Sequence, residues 1–330
     1  VWYTGRRDQG NAIMYTHCYN QHSWSHKSKD PIFFDEENQA LICDFTRNKC
    51  MAGFRSSGVS LDTIKGCCEK YEVDFSSIPK DNIIIVAEDC GFLKNKNYGE
   101  YLGFRQKPFY YSDIDSILSE FKNIFSPNLK NKIHDSVYPL PMGIMFGDSK
   151  YLESLELAQR LMPKHRKKIC YANFSITSPY RIKVAEWAFK QNYIDAHIYK
   201  RHDRHGDDLQ MKEETFSKKG KLPDVEYFKE LSSYKFCICP EGNGIDTFRI
   251  WECILTNTIP IVQNNYGNRI FSKIWPMILV NRYETDNIPN RVLEFLLDFP
   301  DHQYDSAWVY LRDTGFSSMI ERIKNECCRS

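Results

Sequence analysis

Lys235-Phe236-Cys237-Ile238-Cys239-Pro240-Glu241-Gly242-Asn243-Gly244-Ile245-Asp246-Thr247-Phe248-Arg249-Ile250-Trp251-Glu252-Cys253-Ile254-Leu255 leads through Thr256-Asn257-Thr258 into Ile259-Pro260-Ile261-Val262. This stretch reads as strand, glycine-containing loop, helix, turn and strand. Phe236 to Cys239 is a short apolar run suited to a buried strand, and Pro240 closes it. Gly242 and Gly244 open backbone angles closed to other residues and let the chain approach a ligand closely. Asp246 or Thr247 can cap the helix that follows. Phe248, Trp251, Cys253, Ile254 and Leu255 give that helix an apolar face.

Such a unit has a physical use. Backbone N–H groups and the positive end of the helix dipole bind phosphate. Arg249, one turn into the helix, can grip a phosphate with two hydrogen bonds. Glu252 follows three residues later on the same face, where a carboxylate can accept hydrogen bonds from ribose hydroxyls. The loop alone reads equally as a glycine turn with a surface Arg–Glu pair. Loop, Arg249 and Glu252 together point to a nucleotide.

The pattern F-x-x-x-P-x-G-x-G-x-D-x-x-R-x-W-E followed by I-P-I-V resembles the donor-sugar signature of exostosin-like glycosyltransferases of the GT-B fold. Asn257-Thr258 stands where that family usually has a small residue and glycine. Lys168-Ile169-Cys170-Tyr171-Ala172-Asn173-Phe174-Ser175-Ile176-Thr177-Ser178-Pro179-Tyr180-Arg181 is similar to the first strand and loop of the donor domain in related enzymes, viral ones included. Leu140-Pro141-Met142-Gly143-Ile144 is similar to the segment that precedes the interdomain linker. The resemblance covers the second half of the chain; the first third is placed by fold analogy.

The resemblance implies an α/β protein with two Rossmann-like domains facing each other across a cleft. An acceptor-side domain is expected over residues 1–150 and a nucleotide-sugar domain over 151–290. Helices over 291–330 would pack back toward the first domain. It also implies a hexosyl- or pentosyltransferase that moves a sugar from a UDP- or GDP-sugar to a hydroxyl of a glycan or glycoprotein. Donor contacts are expected from Asn173, Ser175, Thr177, Arg181, Glu241, Gly242, Asn243, Gly244, Asp246, Thr247, Arg249 and Glu252. Arg181, Arg249 and the Gly242–Thr247 loop would hold the leaving diphosphate in place of a divalent cation. Inverting chemistry without metal or cofactor follows. A non-catalytic nucleotide- or sugar-binding module is the alternative.

Composition fits this class. The chain has 330 residues, 42% hydrophobic and 14% aromatic, enough for two cores. Lys and Arg number 44 against 43 Asp and Glu, a net charge of +1, which argues against a nucleic-acid partner. No run of eighteen apolar residues spans a membrane. Val1-Trp2-Tyr3-Thr4-Gly5-Arg6-Arg7 is not a signal peptide, and a leader or anchor removed upstream would place the chain in a Golgi lumen rather than the cytoplasm. Of twelve cysteines, Cys237 and Cys239 face one side of a strand and read as core. Cys18, Cys43, Cys50 and Cys90 can bridge in an oxidising compartment, though spacing assigns no pairs. The sequon Asn173-Phe174-Ser175 falls inside the donor domain, which favours a compartment without N-glycosylation.

In the first half, residues 12–15, 41–45, 82–87 and 137–140 read as strands, and 61–71 and 113–122 as helices. Residues 145–168 read as a polar helical linker. In the second half, strands are expected near 169–174, 196–199, 235–239, 259–263 and 277–280, with a mobile polar loop over 203–221 and closing helices over 289–298 and 305–325. Alternation of this kind predicts open α/β sheets.

Asp113-Ile114-Asp115 matches the metal–diphosphate motif of GT-A transferases, a third reading. Ser112 with Asp115 also makes a capping box. His17, Cys18, His22 and His26 fit no standard zinc spacing. His202-Asp203-Arg204-His205 reads as a charged loop. An inverting transfer needs a base for the acceptor hydroxyl. Asp89, ending the apolar run from Asn82, is the first choice, with Glu88 and His17 behind it. Each reads equally as an ordinary strand-end or turn residue.

Overall fold

The computed structural model describes residues 30, 32–36, 39–44, 59–86, 114–143, 149–163, 165–200, 220–242, 244–298 and 316–329. In chain order its elements are β1 (Ile32–Asp35), β2 (Ala40–Asp44), α1 (Leu61–Lys70), β3 (Asn82–Val86), α2 (Ile114–Leu118), β4 (Asn123–Ser126), β5 (Val137–Pro139), α3 (Ser149–Arg160), β6 (Lys168–Ile176), α4 (Pro179–Ala188), β7 (Ile194–Lys200), α5 (Asp224–Leu231), β8 (Tyr234–Ile238), α6 (Phe248–Leu255), β9 (Ile259–Gln263), α7 (Tyr266–Phe271), β10 (Ile278–Val280), α8 (Ile288–Asp298) and α9 (Phe316–Cys328). They form two compact units. One draws on Val1–Met142, Asn265–Ile270 and Thr314–Ser330, the other on Gly143–Asn264 and Phe271–Asp313.

The first unit holds a sheet in the order β1-β2-β3-β4-β5. β1 runs antiparallel to β2, and the remaining pairs are parallel. Its central strands are apolar on both faces: Leu41, Ile42, Ile83, Ile84 and Ile85 are all fully buried. That is the signature of a parallel sheet covered on both sides. The register aligns Ile42, Ile84, Phe125 and Tyr138 across four strands. The rings of Phe125 and Tyr138 stack at 5.2 Å. Lys324 of α9 lies over Phe125 and donates to Asn82 Oδ1 at 3.2 Å, so the last described helix belongs to this core. The start of α7 joins it too, where the Tyr266 and Gly267 amides donate to the carbonyls of Lys130 and Leu129.

The second unit holds a wholly parallel sheet in the order β7-β6-β8-β9-β10. Counted within the unit, the order is 2-1-3-4-5. The chain steps outward from β6 to β7, then returns past β6 to β8. The gap between the carboxyl ends of β6 and β8 is therefore a topological switch point, where α/β sheets of this kind bind ligands. The strands of the first sheet follow one another in sequence order and make no such reversal among the described residues. Phe236, Ile238, Ile261, Ala172 and Ile198 fill the second core.

Several expectations change. Ser149–Arg160 is a packed helix rather than a linker: Tyr151, Leu152, Leu155 and Ala158 form its buried stripe, and Tyr151 meets Phe228 edge-on at 5.0 Å. The helix expected over 113–122 is described only over Ile114–Leu118, and the chain then enters the unforeseen strand β4. β1 was also unforeseen. Within the segment expected to pack toward the first domain, α8 instead joins the second core through Ile288 and Phe295, while α9 lies in the first unit. The strand expected at 12–15, residues 203–219 of the expected loop, and residues 305–315 lie outside the described residues.

Phe236 sits at the centre of the second sheet with 1% of its surface exposed. Phe236→Ala should destabilise the protein by about 3–5 kcal/mol, the cost of deleting a buried ring. The lowered urea midpoint of the second unit's unfolding transition measures it.

Candidate functional site

β8 delivers the chain to the switch point. The Cys239 amide donates to Ile261 carbonyl at 3.0 Å, the last ladder bond before Pro240 turns the chain out of the sheet. The loop is then closed locally. Gly242 N–H donates to Gly244 carbonyl at 2.8 Å. Glu241 N–H donates to Gln263 Oε1 at 3.0 Å.

Arg181 braces this loop. α4 begins at Ser178, whose hydroxyl accepts from the Arg181 amide, with Pro179 at the first helical position. The Arg181 side chain reaches across the switch point. It donates from Nε to Glu241 carbonyl at 2.9 Å, from Nη1 to Ser175 carbonyl at 2.8 Å and from Nη2 to Pro240 carbonyl at 3.0 Å. A Cβ on Gly242 would stand 2.6 Å from Arg181 Nη2, so only glycine fits against the guanidinium. Burial, then the nearby charge of Arg249, bring the Arg181 pKa down to about 10, which still leaves a cation at neutral pH. Expected from the sequence as a diphosphate contact, Arg181 gives three of its five N–H groups to these carbonyls.

α6 supplies the second guanidinium. Thr247 is its N-cap in extended conformation, yet its hydroxyl makes no capping bond and is buried without a partner. Asp246, expected at the donor, turns inward: it is 3% exposed and accepts from Trp251 Nε1 at 2.8 Å. Trp251 in turn packs edge-to-face on Phe271 and Trp275. The junction of loop and helix is thereby fixed from below.

Arg249 is held on three sides. Its guanidinium lies 4.1 Å above the Tyr227 ring. Nη2 donates to Asn173 Oδ1 at 3.3 Å. Nε stands 3.6 Å from Glu252 Oε2, an ion pair too long for a hydrogen bond. Neither Nε nor Nη1 has a hydrogen-bond partner, though both are buried. Thr177 Oγ1, just past β6, is likewise buried and unpartnered. Glu252, 6% exposed, accepts from Tyr151 Oη at 2.5 Å and from Tyr227 Oη at 2.7 Å. Asn173 donates to Tyr171 Oη at 2.9 Å and is 2% exposed, so a glycan cannot sit on this sequon in the folded chain.

No protein-family model and no curated protein matches the chain. Solved structures align with it. A structure titled "Crystal structure of GtfA/B complex" matches with 12% identity and a TM-score of 0.34, over 84% of this chain and 57% of that one. Another, titled "Crystal Structure of TarM", matches with 10% identity and a TM-score of 0.34, over 80% of this chain and 55% of that one. The chain thus spans a little over half the length of each.

Asn173, Ser175, Thr177, Arg181, Glu241, Gly242, Gly244, Asp246, Thr247, Arg249 and Glu252 all lie in the second unit, on the loops and elements around the carboxyl ends of β6 and β8. Asn243, Asp89, Glu88 and His17 lie outside the described residues, as do Asp113, Cys18, His22 and His26. Asp115 occupies the first turn of α2. Cys237 and Cys239 are core residues; with Cys253 they bring three buried sulfurs within 4.8 Å of one another. Burial pushes the Cys237 and Cys239 thiols up, which keeps them protonated at neutral pH. A cavity of about 780 Å³, lined by Lys168, Tyr171, Asp195 and Tyr234 among others, opens at the opposite, amino-terminal ends of β6, β7 and β8. Tyr171, which lines it, is also the acceptor for Asn173. Tyr151 and Tyr227 escaped the sequence reading, because their partner Glu252 is 101 and 25 residues away.

Gly242→Ala should displace Arg181 and cost about 1–3 kcal/mol, the scale of overpacking a close contact. In an Arg181→Ala background the same change should cost almost nothing. Urea unfolding of the two single variants and the double variant measures the difference.

Proposed function

We propose that the chain is a glycosyltransferase that moves a sugar from a nucleotide-diphosphate sugar to a hydroxyl of a glycan acceptor. The observation that carries this reading is Arg249. A buried guanidinium with hydrogen-bond donors left over is costly unless an acceptor arrives. It stands at a switch point, on the first turn of α6; the segments that follow β6 and precede α6 also carry two buried hydroxyls without partners, Thr177 and Thr247. Guanidinium, helix N-terminus and hydroxyl donors at the carboxyl end of one sheet match the needs of a diphosphate.

Chemistry follows from what that group does during transfer. As the sugar–oxygen bond breaks, negative charge grows on the departing diphosphate. Arg249 and the amino end of α6 meet that charge with no reorganisation at the moment of reaction. A fixed guanidinium does here what a divalent cation does elsewhere, so we propose inverting, metal-independent transfer. Arg181 contributes by fixing the loop. A base must take the proton of the acceptor hydroxyl; Asp89 is the proposed one, three residues past the end of β3, with Glu88 and His17 as alternatives. The nucleotide is UDP or GDP, and the sugar a hexose or pentose.

Arg249→Ala should remove about 2–4 kcal/mol of transition-state stabilisation, the scale of losing one such electrostatic contact. Arg249→Lys should recover little, because an ammonium lacks the fork. Release of nucleoside diphosphate from a panel of UDP- and GDP-sugars measures turnover, and UDP and GDP should raise the melting temperature of the wild type. Turnover should survive EDTA. A folded Arg249→Ala protein with wild-type turnover would end this reading; nucleotide binding with no transfer to any glycan would favour a binding module.

A further inference from the structure

We infer that Tyr227, Glu252 and Tyr151 form a clamp that positions Arg249, and that Glu252 acts on the donor through Arg249 rather than through the ribose. This rests on the reading of Arg249 as the diphosphate ligand.

Glu252 has little to offer a ribose. It is 6% exposed, and each carboxylate oxygen already accepts a tyrosine hydroxyl, Oε1 from Tyr151 and Oε2 from Tyr227. What Oε2 faces beyond Tyr227 is Arg249 Nε, 3.6 Å away and three residues back on the same helix. Tyr227 is used twice. Its hydroxyl orients the Glu252 carboxylate, and its ring is the floor on which the guanidinium lies at 4.1 Å. With Asn173 Oδ1 accepting from Nη2, the plane of Arg249 is fixed by a face and two edges, which leaves Nη1 without a partner. A flexible arginine would lose rotamer freedom each time it met a phosphate; one held in advance has already lost it.

The two roles of Glu252 separate by ligand. Inorganic diphosphate has no ribose. If Glu252 positions Arg249, Glu252→Gln and Tyr227→Phe should weaken inorganic diphosphate, UDP and GDP by similar factors, about tenfold, the scale of one charge-assisted hydrogen bond. Titration calorimetry on the full chain gives each affinity. In an Arg249→Ala background the same substitutions should change none of them further, an outcome that general destabilisation would not produce. Tyr227→Phe deletes one oxygen and keeps the ring, so it guards against a Glu252→Gln protein that fails to fold. Tyr227→Leu should do more damage than Tyr227→Phe, because the floor is lost as well. Unchanged affinity for inorganic diphosphate beside weakened UDP and GDP would overturn the clamp and assign Glu252 to the ribose. Should the wild type not bind inorganic diphosphate, or bind it equally well after Arg249→Ala, the diphosphate reading fails and the clamp with it.

Discussion

The site depends on one buried guanidinium. Where β6 and β8 end, the carbonyls of Ser175, Pro240 and Glu241 leave the sheet and need donors. Arg181 supplies all three from a single rigid fork, as neither lysine nor a neutral side chain can. The loop is then shaped around the arginine, with glycine at position 242 to admit it. The carbonyls spread the charge of Arg181 without cancelling it. Arg249 is near enough to bear on its ionisation. Two cations that disfavour each other across a buried space form a region that an anion relieves.

Much of this was legible in the sequence. The run Asn82-Ile83-Ile84-Ile85-Val86 announces a buried strand, and the strand–loop–helix–strand unit around Gly242 is read almost residue for residue. What failed did so for physical reasons. β1 and β4 have four residues each, too few for a period to show. Residues 145–168 seemed polar because the stripe of α3 is interrupted by charged residues that face solvent. Arg181 and Asp246 were found as residues, but their bonds to the loop carbonyls and to Trp251 were not. Composition does not say which way a side chain points, and both point inward.

The order of strands was beyond reach. That β6 lies between β7 and β8 is set by pairing across dozens of residues, and it is this that singles out the gap between the carboxyl ends of β6 and β8. The tyrosine clamp is hidden for the same reason. Tyr151 and Tyr227 belong to the apolar faces of α3 and α5 and look like packing; only the meeting with Glu252 gives their hydroxyls a task.

The division of the chain has a consequence for its synthesis. The first unit opens near the beginning of the sequence but needs α9, whose Lys324 lies over Phe125. On the ribosome, all five strands of the second sheet will have emerged before that helix exists. The first unit therefore gains its last described helix only after every strand of the second sheet is available to pair.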